Sequence, residues 1–243
     1  MCETNILKDF IAKSEKIAVL TGAGISTESG IADFRSENGI FKTIKKYGYT
    51  PEELLSHSFF CTETELFFKY YRENFIVTDA NPNAAHNALV KLEQVGKLSA
   101  VITQNVDGLH TRAGNKNVYE LHGSIYRNFC MKCHKFHSVE FVRDSNGVPL
   151  CDCGGTVKPD VVLYEESLDE NAINGAADAV MQADMLIVCG SSLAVYPAAG
   201  LVPLYRGKRL VIINKTPTPY DTAANLVIHD SLGKVLSEAV SDI

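Results

Sequence analysis

Short runs of apolar residues, separated by stretches with helical spacing, set the rhythm of this chain. Ile17-Ala18-Val19-Leu20, Ser99-Ala100-Val101-Ile102-Thr103, Val161-Val162-Leu163, Met185-Leu186-Ile187-Val188-Cys189 and Leu210-Val211-Ile212-Ile213 each read as a strand. Helical patterns occupy Ile6 to Ala12, Ala84 to Glu93 and the alanine-rich stretch Asp169 to Gln182. Asn83, following Pro82, has the position of an N-cap, and Gly96 stands behind the second helix as a stop signal. Short all-apolar strands alternating with helices predict an α/β fold whose parallel sheet is covered on both faces. Two segments break the rhythm. Phe41 to Ala80 is aromatic, charged and predicted helical, and Ser124 to Thr156 carries closely spaced cysteines.

Composition narrows the class. With 243 residues, 46% of them hydrophobic, the chain suits one large α/β domain or a domain carrying a small insert. A formal net charge of -6 argues against broad nucleic-acid binding and attachment to anionic membranes, though local basic patches stay open, and no specific nucleic-acid partner is expected. The start, Met1-Cys2-Glu3-Thr4-Asn5, is polar where a signal peptide is basic and then apolar. No apolar run approaches the ~18 residues of a bilayer span, so a cytoplasmic location is expected. The odd total of seven cysteines agrees with a reducing compartment. Cys2, Cys61 and Cys189 are scattered, and Cys189, inside an apolar run, reads as a small core residue.

The other four cysteines form two close pairs, Cys130-Met131-Lys132-Cys133 and Cys151-Asp152-Cys153, seventeen residues apart. That spacing can place four thiolates around a tetrahedral Zn²⁺, a closed site with no position for water and hence a structural one. His134 and His137 are near enough in sequence to substitute for a cysteine, and a reduced, metal-free lobe is the other reading.

Chemistry concentrates where strands end. After the first strand comes Gly22-Ala23-Gly24-Ile25-Ser26-Thr27-Glu28-Ser29-Gly30-Ile31-Ala32-Asp33-Phe34-Arg35, a glycine loop of the kind that brings backbone N–H groups to a phosphate. It is not a dehydrogenase fingerprint. Thr27 stands where the third glycine belongs, and Lys42, Thr43, Lys45 and Lys46 occupy the region of the acidic ribose ligand. The second strand runs into Thr103-Gln104-Asn105-Val106-Asp107-Gly108-Leu109-His110, amide and carboxylate groups suited to ribose hydroxyls and a carboxamide. Taken singly, Asn105 and Asp107 also suit turns or caps, His110 a helix surface or packing role, and His86 a structural one. Val118 to Gly123 reads as a short strand ending in His122, a general-base candidate. Gly190-Ser191-Ser192-Leu193 and Asn214 end two further strands with groups that can bond phosphate or ribose oxygens.

In this order the motifs resemble those of the sirtuins, the NAD-dependent protein deacylases, in their compact bacterial form. The resemblance rests on the glycine loop through Asp33-Phe34-Arg35, the Thr103 to His110 segment, Leu121-His122-Gly123, the four cysteines, Lys158-Pro159-Asp160-Val161-Val162, and Gly190-Ser191-Ser192-Leu193 with Val195 and Pro197. It implies one catalytic domain over 1–243: a Rossmann-like NAD-binding part from 1–40, 82–123 and 157–243, a helical insert at 41–81 and a small zinc-binding lobe at 124–156. NAD and an acyl-lysine protein or peptide would meet in the cleft between the parts, with one structural zinc. The acyl oxygen would displace nicotinamide, and the acyl group would end on ADP-ribose.

By the same resemblance, Asp107 with the Val106 backbone would hold the carboxamide, and Asn105 and Gln104 would order the ribose and water. His122 would be the general base. Gly22, Ala23, Gly24, Thr27, Phe34 and Arg35 would form the cofactor loop, with Gly190, Ser191, Ser192, Asn214 and Asp230 on the adenosine side. Phe34, Val162, Tyr164 and Val195 would meet the acyl-lysine peptide, laid down as an added strand. Ala32, Ser36, Lys158 and Tyr164-Glu165-Glu166 depart from the family pattern, and Glu165 would bring bulk and charge to the peptide site. Relatives that remove succinyl groups carry a tyrosine and an arginine three residues apart in the insert. Phe68, Tyr70, Tyr71 and Arg72 give no such match, so a neutral acyl group is expected. Transfer of ADP-ribose to protein is the alternative activity, and a non-catalytic zinc-bearing module the alternative class. Oligomeric state leaves no mark in the sequence.

Overall fold

The structure, a computed structural model, describes residues 3–32 and 37–243. Its first half runs α1 (Glu3–Ala12), β1 (Ile17–Thr21), α2 (Ala23–Ser26), α3 (Glu37–Tyr47), α4 (Pro51–Leu54), α5 (His57–Thr62), α6 (Thr64–Asn74), α7 (Ala84–Gln94), β2 (Leu98–Thr103) and α8 (Leu109–Ala113). The second half runs β3 (Val118–Glu120), β4 (Gly123–Cys130), β5 (Phe136–His137), α9 (Val139–Asp144), β6 (Val157–Val161), α10 (Glu170–Gln182), β7 (Met185–Cys189), β8 (Leu210–Ile213), β9 (Leu226–Ile228) and α11 (Leu232–Ala239).

Six strands form a parallel sheet in the order β3-β2-β1-β7-β8-β9. Because successive side chains point to opposite faces, each strand feeds two cores. Val19, Val101, Ile187 and Val211 pack against α1, α7 and α11 on one face. Leu20, Ile102, Val188 and Ile212 pack against α10 and the 3₁₀ turn Ala198–Leu204 on the other. Asn83 caps α7 as expected, accepting from the Ala85 N–H at 2.9 Å. Its own amide donates to Ile25 O and Ser29 Oγ, fastening α7 to the glycine loop. No helix among the described residues is long and apolar enough to cross a membrane.

One predicted strand belongs elsewhere. Val161-Val162-Leu163 was expected in the parallel sheet, but the strand is Val157–Val161, antiparallel to β4 in a three-stranded sheet ordered β5-β4-β6. Val157, Pro159 and Val161 are buried while Lys158 and Asp160 are half-buried, the alternation of a sheet covered on one face. Pro159 is accommodated because β6 is an edge strand. This small sheet shares a third core with the insert, where Phe67, Phe68, Tyr70 and Tyr71 meet Ile125, Val157 and Leu163. The sequence reading did not anticipate the three-residue β9 or α11 behind it, although Leu232, Val235, Leu236 and Ala239 of α11 are buried at helical spacing.

Candidate active site

The sheet order reverses at β1, whose neighbours β2 and β7 lie on opposite sides. Chains leaving these strands diverge there, opening the crevice in which parallel α/β sheets hold ligands. Three of the predicted motifs are the exits of β1, β2 and β7.

Glycine at Gly22 and Gly24 also has a cause within the fold. Their N–H groups donate to Cys189 O at 3.1 Å and Gly190 O at 2.8 Å, joining two strand exits. A Cβ on Gly24 would stand 2.7 Å from Gly190 Cα, and one on Gly22 would stand 2.8 Å from Gly190 O. The glycines let the loops leaving β1 and β7 touch.

A buried polar network connects the β1 and β2 exits. Ser26 Oγ donates to Asp107 Oδ2 at 2.7 Å, while Asn105 Nδ2 donates to Ser26 Oγ at 3.0 Å and to Gly22 O at 3.1 Å. Asp107 Oδ1 accepts from the Leu109 N–H at 2.9 Å, and Ile125 N–H donates to Val106 O at 3.0 Å. Gln104 Nε2 reaches Ser191 Oγ at 2.9 Å, linking the β2 and β7 exits. The role of Ser26 could not be read from the chain, because its partner lies 81 residues away.

His122 follows β3. Its Nδ1 lies 2.8 Å from Gln104 O, and a carbonyl only accepts, so Nδ1 carries the hydrogen and Nε2 the lone pair. The backbone oxygen of His122 accepts from Val162 N–H at 3.0 Å, tying the imidazole to the next wall.

These groups line one cavity of about 250 Å³. Ala23, Gln104, Asn105, Val106, Asp107 and His122 face it, as do Val162, Tyr164 and Val195. Sequence reading missed Leu55, Phe75 and Leu168, whose apolar side chains complete the wall from the insert and from the segment before α10. Gly190, Ser191, Ser192, Asn214 and Asp230 do not line it and lie further along the same strand-exit edge. Ser191 is buried, Ser192 is exposed, and Asn214 Nδ2 donates to Thr216 O at 2.7 Å. Asp230 is held by Lys234 at 2.6 Å, which together with the Ser231 N–H keeps its carboxyl below the usual range. Thr27 Oγ1 donates to Gly24 O at 2.9 Å. Phe34 and Arg35 lie outside the described residues.

Lys158 and the Tyr164-Glu165-Glu166 segment have local explanations, Ser36 lies outside the described residues, and nothing in the structure explains Ala32. Lys158 Nζ bonds Val161 O and Glu166 Oε2, both at 3.0 Å, bracing the wall. Glu165 takes a left-handed φ of 75° and turns its carboxylate onto Ser58, at 2.9 Å from N and 3.0 Å from Oγ. Tyr164 spends its backbone on the insert, donating to Leu55 O and accepting from His57 N–H, both at 3.0 Å.

His110 resolves to its packing role. It is buried, 3.0 Å from Thr21 Oγ1 and beside His86, with ring centroids 4.8 Å apart. Burial pulls its pKa down to about 3, and the neighbouring His86 adds to that. His86 itself sits in the capping box of α7, as a structural histidine should.

Cys130, Cys133, Cys151 and Cys153 converge with their sulfurs within 4.8 Å of one another. Separations of 3.4 Å for Cys130 to Cys153 and 3.7 Å for Cys133 to Cys151 are far too long for disulfides. They fit the edges of a tetrahedron with Zn–S of about 2.3 Å. His134 and His137 are not in the cluster, and His137 instead packs on Phe141. The residues therefore fit one structural zinc.

Comparison with known proteins agrees with this geometry. A model of the Sir2 family matches residues 22–197. An NAD-dependent protein deacetylase of Clostridium acetobutylicum is 56% identical over 97% of this chain and 97% of its own. One from Clostridium perfringens is 56% identical over 97% of this chain and 98% of its own. A Sir2 structure with a p53 peptide and NAD+ superposes with a TM-score of 0.88 at 38% identity, covering 100% of this chain and 98% of that one. Another Sir2 structure, with a deacetylated p53 peptide and 3′-O-acetyl ADP-ribose, gives 0.90 at 39% identity over 100% of this chain and 98% of its own. With the Sir2 family model matching residues 22–197, well over half of its length, and relatives 56% identical along nearly all of it, the chain belongs to the Sir2 family.

Proposed function

We propose that this protein is an NAD-dependent protein lysine deacylase that passes the acyl group to ADP-ribose and releases nicotinamide. The observation that carries the reading is the tautomer of His122: with Nδ1–H fixed on Gln104 O, its Nε2 is the proton-accepting atom in a cavity that also presents Asn105 and Asp107. Bound NAD supplies the electrophilic ribose carbon and the hydroxyls that receive the acyl group.

The chain's own residues divide the remaining work. Asp107, held by Ser26 and the Leu109 N–H, accepts from the carboxamide, with the Val106 backbone beside it. Asn105 and Gln104 orient the ribose and water. His122 Nε2 accepts a proton from a ribose hydroxyl, a step that needs an imidazole fixed in orientation. Gly22, Ala23, Gly24 and Thr27 would hold the cofactor, with Gly190, Ser191, Ser192, Asn214 and Asp230 toward its adenosine end, while Phe34 and Arg35 lie outside the described residues. The acyl-lysine would enter past Val162, Tyr164 and Val195, and Leu55, Phe75 and Leu168 would exclude water around it.

The charged lining supports a neutral acyl group. Glu52, Asp107, Glu165 and Glu166 face the cavity, and no lysine or arginine does among the described residues. Phe68, Tyr70 and Tyr71 are buried in the insert's own core, away from it. The free thiols Cys61 and Cys189 suit a reducing cytoplasm. Mass spectrometry of a reaction with NAD and an acetyl-lysine peptide tests the function: free lysine, nicotinamide and O-acetyl-ADP-ribose are expected. A mass gain on protein with no deacylation would establish ADP-ribosyl transfer instead.

A further inference from the structure

We propose that Cys61 is a modification site for small disulfides, with His57 as the base that takes its proton and Glu166 as the group that aims His57. Cys61 and His57 have no part in the chemistry above, and Glu166 enters it only through the charge of the cavity lining. His57 opens α5 and Cys61 follows four residues later, so the two share one face of the helix. Cys61 is exposed, and its Sγ lies 3.5 Å from His57 Nε2. On the other side of the ring, Nδ1 lies 2.8 Å from Glu166 Oε1.

The direction of these bonds follows from their ends. A carboxylate accepts, so Nδ1 carries the hydrogen and Nε2 is left to accept from the thiol. Glu166 Oε2 is fixed in turn by the Leu163 N–H at 2.9 Å and by Lys158 Nζ at 3.0 Å. Burial raises the Glu166 carboxyl, but the Leu163 amide, His57 and Lys158 outweigh it and keep the group below the usual range. Nucleophile, base and orienting carboxylate thus stand in line, drawn from segments more than a hundred residues apart. Among the described residues the other thiols differ: Cys189 is buried in the sheet, and four more converge on the metal cluster.

The reaction is an exchange. His57 Nε2 takes the Cys61 proton, and the thiolate attacks one sulfur of R–S–S–R. The Cys61–S bond forms as the S–S bond breaks, and the leaving RS⁻ recovers the proton from His57. Cys61 and one R–S group become the mixed disulfide, and the other R–S group is reduced to a thiol. The adduct would sit on α5, which Glu165 ties to the cavity wall through Ser58.

Zinc-loaded full-length protein, in a Cys2→Ser background, is treated with oxidised glutathione and followed by intact mass and peptide mapping. The first adduct is expected on Cys61, about tenfold faster or more than in the His57→Gln protein. Its preference over other thiols should vanish in urea-unfolded chain. Circular dichroism and zinc content establish that His57→Gln is folded, and Glu166→Gln gives a second, independent slowing. Modification of native Cys61 no faster than in the unfolded chain, or at an unchanged rate in folded His57→Gln, would overturn the proposal.

Discussion

His122 Nδ1 and the Gln104 carbonyl oxygen lie 2.8 Å apart, so the end of β2 sets the tautomer of the residue that follows β3. The two strands are hydrogen-bonded neighbours, which makes this contact a consequence of sheet register. Side chain and backbone meet there because the parallel pairing continues past Thr103 to Leu121, whose N–H donates to Thr103 O at 2.9 Å.

His122→Ala should therefore lose deacylation by a factor on the order of 10²–10⁴ while still binding NAD. Product analysis by mass spectrometry and calorimetric titration with NAD separate the two effects. An unchanged rate would remove His122 from the role of base.

Ser26→Ala removes the side-chain donor to a buried carboxylate, because Ser26 Oγ is the group 2.7 Å from Asp107 Oδ2. Leaving that oxygen unsatisfied should destabilise the protein by about 1–3 kcal/mol. Nicotinamide release should slow as well, since Asn105 loses the same partner. Urea denaturation and a nicotinamide assay measure both.

Zinc content should be one ion per chain, and Cys151→Ser should reduce it to near zero with loss of the small sheet. Cys130 ends β4 and is packed in the same core as Val157 and the insert aromatics, so the metal also anchors that core. Metal analysis and near-ultraviolet circular dichroism after chelation provide the check.

Acid should destabilise the fold through His110. Burial and His86 lower its folded-state pKa to about 3 from the ordinary 6.5, so across that interval the unfolded chain holds a proton that the folded chain does not. Stability from this group is complete above 6.5 and declines as pH falls toward 3, by up to about 1.4 kcal/mol per pH unit. The His110→Gln protein should show a shallower decline of its urea midpoint over the same interval. Parallel declines would refute the assignment.

The parallel sheet was legible because β1, β7 and β8 are wholly buried and built from unbroken apolar residues, a pattern that few other structures produce. The segment around Val161 was misplaced because a short apolar run does not reveal its partner, and Pro159 with its alternating neighbours was the overlooked signal. The zinc cluster was readable because metal coordination restricts ligand type and spacing so tightly. The glycine loop is legible in the sequence, but only the fold shows that Gly24 lies against Gly190 so closely that a Cβ on it would stand 2.7 Å from Gly190 Cα.

The sequence by itself determined the element types, the four thiolates and the polar character of the strand exits, since these depend on local periodicity and side-chain chemistry. Only the tertiary structure decided which exits adjoin, that Ser26 restrains Asp107, that Gln104 fixes the proton of His122, and that Glu166 backs His57 behind Cys61. Each of those is a directional bond between groups distant in the chain, and its 3 Å geometry exists only once packing has brought the partners together.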